Sequence, residues 1–193
     1  MPRGKQLTRR DWTLAAMAAL AGSGVASVRV ERLAETLNTS KGSFYWHFAD
    51  RAALLEAVLD LWEAEGTADV IADVAPLSDP EARLRAVTEG ALVAKTHGIG
   101  VAQAEGALRE WAAQDVLVAG RLIRVDSART AFLAAELESL GHRPQQAAHY
   151  AIALYLALIG LYEARRYNPG MADDGAFRAL LELVLANLMS RKP

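Results

Sequence analysis

The sequence predicts an all-α protein: an N-terminal three-helix helix-turn-helix unit followed by a larger C-terminal helical domain. Three observations carry this. The 193 residues include only 6 Pro, are 52% apolar and only 7% aromatic, so the core must be built mainly from the helix-compatible residues Ala, Leu and Val. Apolar residues recur three and four apart in long segments separated by Gly-containing breaks. Between Val30 and Phe48, a short helical pattern, a three-residue polar turn and a second short helix follow one another.

Thr8 can cap a first helix, with Asp11 in its first turn and Trp12, Ala15, Ala16, Ala19 and Leu20 on one face; Gly22 and Gly24 end it. A second helix buries Val30, Leu33, Ala34 and Leu37. Asn38-Thr39-Ser40 is the turn, and Ser40 or Thr39 caps the third helix. Phe44 and Phe48 share a face that packs inward, whereas Lys41 and Tyr45 share another that points outward. Asp50 caps a fourth helix with Leu54, Leu55, Val58, Leu61 and Trp62 on one side, and Pro76 and Pro80 interrupt the pattern. Further helices are expected near 80–95, 101–113, 115–140, 144–167 and 174–190, with breaks at 97–100 and 141–144. The domains expected are 1–50 and 51–193.

Net charge is −2, but residues 1–51 hold eight basic and four acidic side chains, so the N-terminal end is basic and the remainder acidic. That asymmetry suits a nucleic-acid-facing end. The chain has no cysteine, which excludes disulfides, thiolate metal sites and a Cys nucleophile. No Glu-x-x-His or His-x-x-x-His pair occurs, so neither metal nor cofactor is expected. The N-terminus lacks a signal-peptide core, and the apolar run 151–162 is too short for a bilayer, so a cytoplasmic protein without a membrane partner is expected. A Gly-x-Ser-x-Gly elbow, a phosphate-cradling Gly loop and clustered catalytic carboxylates are all missing, which argues against an enzyme. A purely architectural DNA-binding protein would not need so long an apolar, acidic helical region behind its reader.

The second helix of a helix-turn-helix enters the DNA major groove. Here it would present Ser40, Lys41, Ser43, Tyr45, Trp46 and His47. Lys41 suits guanine O6 and N7 or phosphate, Ser and Tyr hydroxyls suit phosphate oxygens, and His47 suits either; Trp46 fits packing and DNA contact equally well. Arg29 and Arg51 stand at helix N-terminal ends, where the dipole repels a cation and a phosphate would relieve it. Arg3, Lys5, Arg9 and Arg10 form either a basic arm or a solvated tail.

The strings Gly24-Val-Ala-Ser-Val-Arg-Val-Glu-Arg-Leu-Ala-Glu35, Ser40-Lys-Gly-Ser-Phe-Tyr-Trp-His-Phe48 and Asp50-Arg-Ala-Ala-Leu-Leu55 resemble the DNA-binding region of the tetracycline-repressor (TetR) family over residues 8–60. The resemblance implies an all-helical homodimer, three DNA-binding helices and a larger ligand-sensing domain closed by two dimerising helices. Two departures are visible: Val30 stands where a DNA-touching Thr is frequent, and Gly42 brings no base-reading side chain.

The expected function is a ligand-responsive repressor released from a palindromic operator by a small apolar molecule; the alternative is a DNA-binding regulator with no inducer. Pocket candidates are Trp62, Gln103, Arg109, Trp111, Tyr150, Tyr155 and Tyr162, an apolar lining with a few polar anchors. Asp126 and Arg129, three apart, are expected to pair along one helix. The segments 144–167 and 174–190 are apolar on more than one side, so each should face its own core and a second surface. Ala147, Ala148, Ala151, Leu181, Val184, Leu185 and Leu188 are the expected dimer contacts.

Overall fold

The computed structural model describes residues 7–189, and the side chains of residues 7–187. The first helix, α1 (Arg9–Ser23), starts on a capping box: the Asp11 N–H donates to the Thr8 hydroxyl at 3.2 Å, and the Thr8 N–H donates to the Asp11 carboxylate at 2.7 Å. After a short 3₁₀ turn (Val25–Ser27) come α2 (Val30–Thr36) and α3 (Lys41–Tyr45). The turn between them is a helix cap. Asn38 adopts φ 50°, a region asparagine tolerates, and the N–H groups of Asn38 and Thr39 close back on the carbonyls of Glu35 and Ala34 at 3.0 and 2.9 Å. Ser40 stands at the N-cap of α3, but its hydroxyl makes no capping bond.

Asp50 caps α4 (Arg51–Glu63) by accepting from the Ala53 N–H at 2.8 Å. The helix then widens into a π turn (Ala64–Ala68) and continues as α5 (Asp69–Val74), stopping short of Pro76. Next comes α6 (Pro80–Leu92), capped by Asp79. The break expected at 97–100 is a small antiparallel hairpin, β1 (Lys95–Thr96) and β2 (Ile99–Gly100). Its two-residue loop has His97 at φ 52° and Gly98 at φ 79°, the doubly left-handed geometry that matches strand twist. Helices α7 (Val101–Ala112), α8 (Val116–Ser139), α9 (Pro144–Tyr167) and α10 (Asp174–Met189) complete the fold.

The largest apolar core does not stop at residue 50. Trp12, Leu20, Phe44 and Phe48 are continuous with Leu54, Val58, Leu59 and Trp62 of α4 and with Leu108, Val118 and Val125 beyond. α1 packs against both α4 and α7, so the reader and the helices behind it share one core. A second core joins Leu84 and Leu137 to α9 and α10, and a third gathers Tyr155, Leu158, Leu161, Tyr162 and Phe177.

The second core corrects the expected dimer contacts. Ala147, Ala151, Leu181, Val184 and Leu185 are buried within the protomer, Ala148 is half-buried, and the side chain of Leu188 lies outside the described residues. This face turns inward because Leu84 of α6 and Leu137 of α8 offer it an apolar partner. The apolar stripe that reaches solvent lies elsewhere on the same helices: Ile152 and Leu156 on α9 (49% and 60% exposed) and Leu183 on α10 (69% exposed). By length and composition α9 is apolar enough to cross a membrane, which the short uninterrupted run had argued against; here it packs against α7, α8 and α10.

Candidate nucleic-acid interface and ligand pocket

Helix α3 is locked from beneath. Phe44 is fully buried, with its ring edge-on to Trp12 (centroids 5.3 Å apart) and stacked on Phe48 (5.5 Å). That anchoring turns Lys41, Tyr45 and Trp46 to solvent; Tyr45 is 63% and Trp46 88% exposed. Ser40 is exposed beside them, and Ser43 and His47 are half-buried. The Lys41 ammonium lies 2.7 Å from Glu31, and its hydrogen bond holds the Glu31 carboxyl below the ordinary carboxylate range. Both side chains are more than half exposed, so the pair opens at little cost to a phosphate or base.

The flanking arginines find internal partners. Arg51 donates from Nε to the Val28 carbonyl and from Nη2 to the Val25 carbonyl, each at 2.6 Å, so carbonyls of the 3₁₀ turn relieve the dipole conflict that had called for a phosphate. Arg29 donates to the Ala26 carbonyl at 3.2 Å. Arg9 and Arg10 are not an arm: both belong to α1. Arg9 lies 4.2 Å over the Phe48 ring and donates to the His47 carbonyl at 2.9 Å, while Arg10 reaches Glu65 at 2.6 Å. Arg3 and Lys5 lie outside the described residues.

Behind the reader, α4 with its π turn, α6, the hairpin and α7–α10 enclose a cavity of about 230 Å³. Of the expected lining, Trp62, Tyr155 and Tyr162 border it; Gln103, Arg109, Trp111 and Tyr150 do not. Gln103 is on the exposed side of α7, Trp111 packs against the first core, and Tyr150 packs on the second core with its hydroxyl beside Gln146 and Asn187. Arg109 stands behind the wall, bidentate to Asp126 at 3.0 Å and donating to the Tyr155 hydroxyl at 3.0 Å. The expected Asp126–Arg129 pair is therefore replaced by two pairs across helices.

Two pocket residues escaped the sequence reading. Glu105 is only 5% exposed, on the otherwise apolar face of α7, and Arg129 of α8 reaches it at 2.8 Å. Arg129 also donates to the Gly66 carbonyl (3.0 Å), the Thr67 hydroxyl (2.9 Å) and the Tyr155 hydroxyl (3.1 Å). It ties the π turn of the α4–α5 helix to α7, α8 and α9. The available signal was Glu105 itself, a charge between Ala102 and Leu108 where the helical period demands a core residue. Trp62 Nε1 donates to Glu105 Oε1 at 2.9 Å, whereas the buried Oε2 accepts nothing from the described residues. Burial pushes the Tyr155 phenol up to about 12, and burial likewise raises Tyr162, so both rings are neutral donors at neutral pH.

At the rim, Glu65 of the π turn meets Arg10 of α1 at 2.6 Å and His97 of the hairpin at 2.8 Å. This cluster links the reader directly to the pocket wall. Burial pushes the Glu65 carboxyl up, but hydrogen bonds from Arg10 and His97 outweigh it and hold the group below its ordinary range.

Residues 13–58 match the family model for bacterial regulatory proteins of the tetR family. No curated protein matches the chain. Among solved structures, the fold is similar to that of a TetR transcriptional regulator of Legionella pneumophila (17% identity, 100% of each chain covered, TM-score 0.71). It is also similar to a TetR-family regulator of Agrobacterium tumefaciens (20% identity, 93% of this chain and 96% of that one, TM-score 0.69). A third similar fold is a Saccharomonospora viridis transcriptional regulator in complex with choline (17% identity, 91% of this chain and 94% of that one, TM-score 0.77). The matched segment is the one whose aromatic lock presents α3 to solvent, and the similar folds extend over nearly the whole chain. Residues 13–58 are thus identified as a DNA-binding region of the tetR type, and the fold of nearly the whole chain is similar to that of transcriptional regulators of that family.

Proposed function

We propose that the protein is a cytoplasmic repressor that holds a palindromic operator as a homodimer and is released by a small molecule bound behind α4. The observation that carries the DNA assignment is the exposure of Lys41, Tyr45 and Trp46 on a short helix whose other face is pinned by Phe44 and Phe48. Large exposed aromatics beside a cation need a partner, and a base edge or phosphate supplies one. Ser40, Ser43 and His47 lie within reach of the same groove, and Arg29 and Arg51 flank it with the guanidinium nitrogens their carbonyl contacts leave over.

The exposed Ile152, Leu156 and Leu183 support pairing of α9 and α10 with a symmetry mate, since several large apolar side chains left in water on paired helices favour a partner. A cavity lined mainly by apolar side chains supports an effector, as does the choline complex of a regulator with a similar fold. The same cavity disfavours the reading without an inducer.

The test is operator binding after selection of the site from random DNA. Lys41→Ala and Tyr45→Phe should each weaken binding while helical circular dichroism and melting temperature stay near the parent, and Lys41→Ala should lower the salt slope by about one unit if it contacts phosphate. Parent affinity in both variants would remove α3 from the interface. In parallel, Leu183→Glu should give folded monomers by sedimentation, whereas Leu181→Glu, in the second core, should unfold the chain. A parent that sediments as a monomer at micromolar concentration would overturn the dimer.

A further inference from the structure

The cavity reaches the reader itself. Leu14 and Met17 of α1 border it, as do Glu65 of the π turn, His97 and Ile99 of the hairpin and Ala104 of α7. Leu14 and Met17 stand one and two turns on from Arg10, on the same face of α1. Arg10 lies 2.6 Å from Glu65 and 3.0 Å from His97 Nε2 at the rim. The same helix is joined to α3 from beneath. Trp12 meets the Phe44 ring at 5.3 Å, and Arg9 donates to the His47 carbonyl at 2.9 Å. α1 therefore touches the cavity on one side and the support of α3 on another.

α4, the covalent link between the two regions, is fixed to α8. Arg121 is little exposed and donates to Glu56, Asp60 and Glu63, on successive turns of α4, at 2.9, 2.6 and 2.6 Å. Arg129 holds the π turn that follows, through the Gly66 carbonyl and the Thr67 hydroxyl. Several charge-assisted bonds in one planar fork must break together for α4 to move. α1 is held more loosely on the cavity side. Its Arg10 is half exposed, so the pair with Glu65 opens at little cost. Its packing on α4 and α7 runs through the apolar first core and is non-directional.

We propose that an occupant of the cavity acts on the reader through α1: it bears on Leu14 and Met17, shifts α1 against a fixed α4, and carries α3 along through Trp12 and Arg9. This rests on the reading of the cavity as the effector site and gives the route by which that site regulates DNA binding. Two recognition helices that must meet half-sites one helical turn apart, about 34–36 Å, tolerate little displacement.

A cavity-filling substitution stands in for the effector, so the test needs no ligand. Ala104→Leu fills the end beside the first core, to which Met17 belongs, and Ala91→Leu makes the same change beside the third. Operator affinity is read by fluorescence anisotropy on a site selected from random DNA, with the melting temperature as the check on folding. Ala104→Leu should weaken operator binding about tenfold at a melting temperature near the parent's, and Ala91→Leu by less than about threefold. If Ala104→Leu lowers the melting temperature, Ile99→Phe from the hairpin makes the same test. Adding Leu14→Ala to Ala104→Leu should return most of the lost affinity, because it gives space back on the α1 side; a merely structural defect would be worsened by a second truncation. Equal losses in Ala104→Leu and Ala91→Leu, parent affinity in both, or no recovery in the double variant would overturn the α1 route and leave the operator reading standing. A parent that selects no site from random DNA would instead overturn the operator reading, and this inference with it.

Discussion

The reader and the pocket use the same kinds of side chain to opposite ends. In the reader, Phe44 meets Trp12 and Phe48 ring against ring, with centroids 5.3 and 5.5 Å away, and all three are buried. In the pocket, Trp62, Tyr155, Tyr162 and Phe177 border a space of about 230 Å³, with Trp62 and Tyr155 held by a charged network and Tyr162 by the Ala91 carbonyl. Close-packed rings make a rigid platform for α3. Rings held by Glu105, Arg129, Arg109 and Asp126 make a wall that a ligand can complete. Rigidity in the one comes from dispersion and burial, and in the other from hydrogen bonds that must all be satisfied together.

The comparison breaks first at Phe44. Phe44→Ala should destabilise the fold toward the upper end of ~3–5 kcal/mol, read by urea denaturation, because the ring is fully buried and its neighbours cannot collapse into the gap. A loss below about 1 kcal/mol would show that the platform is not ring-packed. Arg129→Ala should cost somewhat less, near the lower end of ~3–5 kcal/mol, by leaving the Glu105 carboxylate buried with only Trp62 as donor. The paired replacement Glu105→Gln with Arg129→Met should recover most of that loss, since no charge is then stranded. Failure to recover would mean that Arg129 supports the wall through Gly66 and Thr67 instead.

The smallest effect belongs to the contact that joins the two regions. Arg10 is half exposed and Glu65 about a quarter exposed, so Glu65→Gln should change stability by less than about 1 kcal/mol at neutral pH. The sign with pH follows from the depressed carboxyl. Its stabilisation is present above the ordinary value of 4.5 and is lost as pH falls through the lower folded value, so parent and variant should converge in acid. If the gap between them widens on acidification, the carboxylate is not what holds α1 to the π turn.

Much of the reader was legible in the chain because its determinants are local. Thr8 and Asp11 make their capping box within one turn, and Phe44 and Phe48 fall on one face by helical period alone. The helices at 101–112, 116–139, 144–167 and 174–189 lie within a few residues of the expected spans for the same reason. The pocket was half legible. Trp62, Tyr155 and Tyr162 border it as expected, but which of the remaining candidates faced inward depended on the rotation of α7 and α9 against their neighbours. Gln103 and Trp111 share α7 with Glu105, yet only Glu105 meets the cavity.

By itself, then, the sequence determined the long helices, the caps at Thr8 and Asp50, the shared inward face of Phe44 and Phe48 and the outward pair Lys41 and Tyr45, because each depends on spacing within one or two turns. Tertiary structure decided the rest. It chose which apolar stripe of α9 and α10 is core and which is surface, since two stripes of similar composition differ only in whether α6 and α8 lie opposite. It also decided the partners of the arginines. Long, flexible side chains select carboxylates by proximity across helices, so Arg109 meets Asp126 and Arg129 meets Glu105, pairings between residues 17 and 24 positions apart that no local period encodes.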